Sequence, residues 1–383
     1  MKRKQAVLAL FAVLLLASCD GGTSSSITSE ASSETPISTS QSTSTPKASS
    51  TIYSGTARTD LTNLFVRSDG WNGADGVYTF RIGEKILWYF SDTFVGKVDE
   101  NRKRIANSFI NNSYAVSDLD GSNIVFHYGE NPISSAFKAL EGSYYWPQDS
   151  YVKDNTLYIF ALKMKAAGGL GDILGVDIVK ATFDGTTLTE GEIIPLSGLQ
   201  SSDTALGAYL YGSYVKKAAD GYLYIYGYRT ISNRKNMVVC RMLESSFPSG
   251  SLEYLNSEGW STSVTSLKEL ASDISPEFRL YHVGSKVYLV YILSTWSGKI
   301  FLSEAPTALD VFPRGEYVYY CPEEVAITKN TICYNAKIQS VFSDSNKLVI
   351  SYHVNSLTSA DNANAEIYRP RFIEVKRTDG GSL

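Results

Sequence analysis

Four carboxylates stand out by position: Asp75, Asp92, Asp149 and Glu277. The stretch "GADGVYTFRIGEKILWYFSDTF", from Gly73 to Phe94, reads as an apolar hairpin with an aspartate at each outer end. With Gly83 and Glu84 in the turn, Asp75 and Asp92 fall nearly opposite each other on paired strands. Opposed residues there have Cβ atoms about 4.5–5.5 Å apart. Crowded acids push each other's pKa values apart. One then holds a proton and the other a charge, which is what cleavage of a glycosidic bond requires. Asp149 and Glu277 open similar hairpins further along, so all four acids are expected on one rim. A simpler reading makes Asp75 and Asp149 turn or bulge residues that bind nearby backbone N–H groups. It suits any one acid better than it suits the set.

The hairpins that would position these acids recur. "DSYVKDNTLYIFAL" begins at Asp149, "GSYVKKAADGYLYIYGYR" at Gly212, "EFRLYHVGSKVYLVYIL" at Glu277 and "KIQSVFSDSNKLVISYHVN" at Lys337. With the opening stretch they make a series spaced by roughly 60–75 residues, the signature of a repeat architecture. Two further strand patterns follow each hairpin except the last. Five units of four antiparallel strands describe an all-β fold, a five-bladed β-propeller. The last unit lacks a strand, and "NLFVRSD", Asn63–Asp69, is a spare one before the first unit. It is expected to complete the last blade. First strands line the axial channel of a propeller, so the four acids would converge on a central funnel.

Other residues suit a sugar site. Trp71 and Trp146 precede the first strands of the first two units and could serve as flat apolar platforms. Packing between blades is the alternative for both. Arg229 ends the second strand of the third unit, and His353 with Asn355 ends that of the fifth; all three suit hydroxyl recognition. Two basic stretches, "VGKVDENRKRIANSFINN" and "TISNRKN", are expected as loops above the pocket and could favour an acidic glycan. "AAGGLGDILG" lacks the Gly-Lys-Ser/Thr ending of a phosphate cradle and is expected as a mobile lid. Three scattered histidines argue against a zinc site, and no G-x-S-x-G elbow occurs. The clustered carboxylates could instead hold Ca²⁺, which takes oxygen ligands.

The ends of the chain speak of location. Lys2, Arg3 and Lys4 precede the apolar run Ala6–Leu16, and Leu16-Ala17-Ser18-Cys19 reads as a lipobox. Residues 1–19 are thus expected to be a lipoprotein signal, with Cys19 acylated as the mature N-terminus. Residues 20–60 are rich in Ser and Thr and read as a flexible stalk below a domain of residues 61–383. The formal net charge of −4 gives no field for nucleic acid. Membrane contact is expected through the lipid alone, in the bacterial cell envelope. Cys321 and Cys333 are close enough in sequence to pair, while Cys240 reads as a buried thiol.

The motifs "ADGVYTF…ILWYFSDTF", "NSFINNSYAV", "YWPQDSYVKDNTLYIF", "LVISYHVN" and "YRPRF" resemble the families of domains of unknown function 4185 and 5005, from about Ser68 to Phe372. The wider group is similar to five-bladed arabinanase and fructosidase propellers, which use acids in the axial funnel. That resemblance implies roles for Asp75, Asp92 and Asp149. It also implies a glutamate acid on the third blade, where this chain reads "GAYLYGSY" without a carboxylate. The expectation is a surface-anchored hydrolase of a furanoside-containing or other glycan. Asp75 would be base or nucleophile, Glu277 or Asp92 the acid, and Asp149 the group that positions sugar or tunes a pKa. The competing class is a non-catalytic glycan-binding lipoprotein.

Overall fold

The second strand of each hairpin carries the most apolar runs of the chain: Lys85–Phe90, Thr156–Lys165, Tyr222–Ile231, Lys286–Ile292 and Leu348–Ser356. Aromatic and β-branched side chains fit a pleated surface, and these strands are paired on both edges. They are the inner strands of five antiparallel sheets in the computed structural model, which describes residues 46–166, 172–203, 207–293 and 295–383. The first sheet begins at Tyr78–Ile82, the second at Ser143–Lys153, the fourth at Arg279–Val283 and the fifth at Thr331–Ile338. In the third, the hairpin opens with Tyr209–Lys217, whose other edge pairs with the short strand Gln200–Ser201.

Successive sheets share apolar clusters. Tyr89 and Ile159 join the first and second, Phe160 and Val215 the second and third. Tyr226 and Leu289 join the third and fourth, Val290 and Ile350 the fourth and fifth. Trp88 of the first sheet packs with Val349 and Phe372 of the fifth, so the last sheet meets the first. Cys240, Cys321 and Cys333 are buried free thiols in these layers, and the thiols of Cys321 and Cys333 face each other.

The strand that completes the fifth sheet is Tyr53–Ala57, paired antiparallel with Pro370–Arg377, and not Asn63–Asp69 as expected. The physical reason lies in spacing. Leu61 and Phe65 are four residues apart, so a helical turn puts both on one face. Thr59–Asn63 forms that turn, and Phe65 packs against Trp88 and Phe372 at centroid distances of 5.3 and 5.7 Å. The folded unit therefore starts before residue 60: Ser50 N–H already donates to Tyr317 O at 3.0 Å. Tyr53 is buried and its hydroxyl donates to Glu304 Oε2 at 2.8 Å. A chain beginning at residue 58 is expected to melt at least ~5 °C below one beginning at residue 46, since it loses a buried tyrosine and one edge of a ladder. Equal melting by calorimetry would show that the strand contributes nothing.

The basic stretch after Val95 is itself structured. Thr93–Val98 and Arg104–Ile110 form a hairpin that pairs with Asp69–Ala74 in a separate small sheet, packed against the first through Trp71. "TISNRKN" likewise ends one strand and begins the next, with Ser232 and Asn233 at φ 48° and 64° in the tight turn. The middle of the expected lid, residues 167–171, lies outside the described residues, and its last three residues, from Ile173, already belong to the strand Ile173–Phe183.

Candidate active site

A β-bulge recurs in the first strand of three sheets. The register shifts between Pro147 and Ser150, between Tyr211 and Tyr214, and between Tyr334 and Lys337. A bulge breaks the ladder and re-aims side chains. Asp149, Ser213 and Asn335 all lie in such bulges.

Asp75 and Asp92 meet at the open end of the first hairpin. Asp75 N–H donates to Asp92 O at 3.2 Å, and Ser91 N–H donates to Asp75 O at 2.9 Å. The Tyr334 hydroxyl donates to Asp75 Oδ2 at 2.8 Å, while Asp75 Oδ1 is buried with no partner. Burial, and then the Asp92 charge, hold the Asp75 carboxyl well above the usual range. Asp92 Oδ1 accepts from Trp146 Nε1–H at 2.8 Å and from Asn111 Nδ2–H at 3.3 Å. Burial pushes Asp92 up to about 6 in spite of these donors.

Glu277 belongs to the same neighbourhood, since its charge helps to raise Asp75. Both its oxygens are engaged: Asn335 Nδ2 donates to Oε1 at 2.9 Å, and the fully buried Lys337 ammonium pairs with Oε2. That ammonium also lies 4.0 Å from the Tyr78 ring centroid, a cation–π contact that softens its desolvation.

Asp149 is reached from this group through Tyr78, whose ring lies 4.0 Å from the Lys337 ammonium and 5.2 Å from the Arg279 guanidinium. It is 1% exposed and pairs with the buried Arg279 guanidinium, and its oxygens accept from Ser150 N–H at 3.0 Å and Val215 N–H at 2.8 Å. From its bulge it joins the second, third and fourth sheets, and its carboxylate is committed to Arg279 and two backbone N–H groups. Trp71 is likewise no sugar platform. It is 2% exposed, stacks on Phe126 at 4.4 Å, and gives its indole N–H to Ser113 Oγ at 3.2 Å. Trp146 does reach the acids, through Asp92. Arg229 pairs with Glu269 at 3.6 Å. His353 is fully buried, its Nε2 accepting from Val77 N–H at 3.5 Å, so it supports the strand below Asp75 and is closed to sugar hydroxyls. Asn355 Nδ2–H donates to the Tyr334 hydroxyl at 3.4 Å, one step behind Asp75.

Sequence reasoning missed Tyr334, Asn335 and Lys337 as a group. The hairpin begins at Thr331, and the bulge hides the alternation that would have marked it. It also missed Trp296, which is 48% exposed and bridges directly opposite Tyr334. Directly opposed residues share one face of a pair of strands, so this indole stands on the Tyr334 side. Among the described residues no group of three or more His, Cys, Asp or Glu is arranged to hold a metal ion.

Antiparallel sheets that meet last to first, with a carboxylate pair at the end of one inner hairpin, define an all-β protein with an acidic rim site. The chain belongs to the family described as domain of unknown function (DUF5005), which matches residues 58–377. No curated protein matches it. It is similar in structure to a proposed hydrolase from Bacteroides ovatus, at TM-score 0.69 and 20% identity over 84% of this chain and 90% of that one. More distant likenesses include an α-L-arabinofuranosidase from Clostridium thermocellum, at TM-score 0.48 and 14% identity over 81% and 92%. A GH43_1 enzyme from Xanthomonas citri complexed with xylose gives TM-score 0.47 and 11% identity over 85% and 96%. The Bacteroides likeness is one of fold.

Proposed function

We propose that this chain is a five-bladed β-propeller glycoside hydrolase acting on a furanoside-containing or related glycan. The observation that carries the reading is the opposed Asp75–Asp92 pair, one carboxyl well above its usual range and the other pushed up to about 6. Such a pair holds a single proton near neutral pH. Sequence reasoning made Asp75 the base; the surroundings favour the reverse. Trp146 and Asn111 donate to Asp92 and stabilise its anion, whereas Asp75 Oδ1 has no donor and is the atom that can carry the proton. Asp75 is then the general acid and Asp92 the base or nucleophile. Glu277, held by Lys337 and Asn335, is left to accept sugar hydroxyls, and Trp146, bonded to Asp92, and Trp296, opposite Tyr334, offer aromatic faces. The test is a screen of the soluble domain against arabinans, fructans and acidic glycans, reading product release and binding together. Binding without product from any of them would sink the hydrolase.

A non-catalytic glycan-binding protein is the second reading. The engaged Glu277 favours it, as does the end of the third sheet, where Glu269 is tied to Arg229 and Asn236. Ca²⁺ bridging of Asp75 and Asp92 belongs to that reading, and its sign would be metal-dependent thermal stabilisation.

We further propose that Cys19, which lies outside the described residues, is acylated and would hold the domain at the cell envelope. Cys19→Ser is expected to move the protein from the membrane pellet to the soluble fraction, because the Ser/Thr-rich stalk has no apolar segment to retain it. Unchanged pelleting would rule out the anchor.

A further inference from the structure

Arg104 is a buried cation whose hydrogen bonds go to neutral groups. It is 8% exposed, and among the described residues no carboxylate forms an ion pair with it. Its Nε donates to Asn72 Oδ1 at 2.9 Å and its Nη2 to Asn72 O at 3.1 Å. The other bonds all reach one distant segment: Nη1 to Asn362 O at 2.8 Å and Asn364 O at 3.1 Å, and Nη2 to Ile367 O at 2.9 Å. The guanidinium also lies 4.5 Å from the Phe94 ring centroid. Burying an unpaired charge is costly, so a fold keeps one where its geometry is needed.

The segment so held ends in Tyr368, which has φ 64°. A bulky residue in the left-handed region is strained, and strain of this kind persists only where the surroundings impose it. Here they do. Tyr368 N–H donates to Val354 O at 2.7 Å, and Phe94 and Phe109 close on its ring at 5.2 and 5.9 Å. The close approach leaves no room at Gly73, where a Cβ would lie 2.2 Å from Arg104 Nη2 and 2.4 Å from Tyr368 O. The Tyr368 phenol faces both Asp75 and Asp92, and burial keeps it protonated.

We propose that Arg104 is a positioning residue that clamps residues 362–367, and thereby holds Tyr368 left-handed with its hydroxyl donating into the Asp75–Asp92 pair. The consequence is that a neutral phenol donating to Asp92 favours the charge on that carboxyl. This rests on the reading of the pair as the working acids, but not on catalysis itself.

The experiment follows the Asp92 carboxyl by ¹³C NMR titration in the intact protein, so it reads out whether or not any glycan is cleaved. Tyr368→Phe removes the donor to the ionised form and is expected to raise the Asp92 midpoint by about 0.5–1 pH unit. Arg104→Lys keeps the charge but loses the fork and should raise it in the same direction. The double variant should shift no further than Tyr368→Phe alone, because both changes remove one interaction. Where wild-type hydrolysis is found, the acid limb of its pH profile should move upward in step. Asn72→Ala, which takes away one acceptor of the clamp, is the milder variant if Arg104→Lys does not fold. An Asp92 midpoint unmoved by Arg104→Lys or Asn72→Ala in a folded protein, or shifts that add in the double variant, would overturn the assignment. Absence of product from the wild type with these shifts present would remove the hydrolase reading and leave the clamp.

Discussion

Asp75→Asn is expected to lower glycan hydrolysis by about 10²–10⁴-fold while leaving binding nearly unchanged. The amide keeps the size of the carboxyl and can still accept from the Tyr334 hydroxyl, but it has no acidic proton to give. The assignment of roles makes a sharper demand. A substrate whose leaving group departs without protonation should recover most of the lost rate in Asp75→Asn. Asp92→Asn should be inactive on both kinds of substrate, because it removes the base or nucleophile. If the recovery appears in Asp92→Asn instead, the roles are those first read from sequence. The pH dependence has a definite sign. Asp92 works ionised, and burial has pushed it up to about 6. The rate should therefore fall as the pH drops below about 6, where the proton returns to Asp92. A profile flat down to pH 4 would contradict this assignment.

Arg279→Met is expected to destabilise the fold by about 3–5 kcal/mol, measured by urea unfolding. The change strands a carboxylate that is 2% exposed, with only two backbone donors left to it. Arg279 also donates to Thr79 O at 2.9 Å, so the pair ties the first, second, third and fourth sheets across the axis. Asp149→Leu combined with Arg279→Met should restore much of the loss, because no buried charge remains. A double variant as unstable as the single would mean that the Thr79 tie, and not the charge, supplies the stability.

Much of this was legible because hairpins repeat. A two-residue turn at Gly83–Glu84 fixes the register of the first hairpin, and register alone sets Asp75 against Asp92. What was not legible turned on single-residue irregularities. The bulge at Gln148–Asp149 concealed the pairing of Asp149 with Arg279. The bulge at Asn335–Ala336 concealed Tyr334 and Lys337. The closing strand was misplaced because Leu61 and Phe65 carry apolar signal in a helical turn, while "YSGTA" carries little beyond Tyr53. Trp71 shows the limit of residue type, since an indole beside an acid hairpin can equally be core.

The closing strand also sets an orientation. Tyr53 pairs with Arg377, at the end of the fifth sheet remote from His353 and the acid rim. The chain before Tyr53 therefore leaves from the face opposite the carboxylates, about 20 Å away along the strands. On the proposed anchor, the tether would emerge from the underside and the acids would look outward, towards material arriving from outside the cell. Tension on the tether would run along Tyr53–Ala57 and load its paired positions together, as shear. The element that closes the ring would then also be the one that carries the mechanical load.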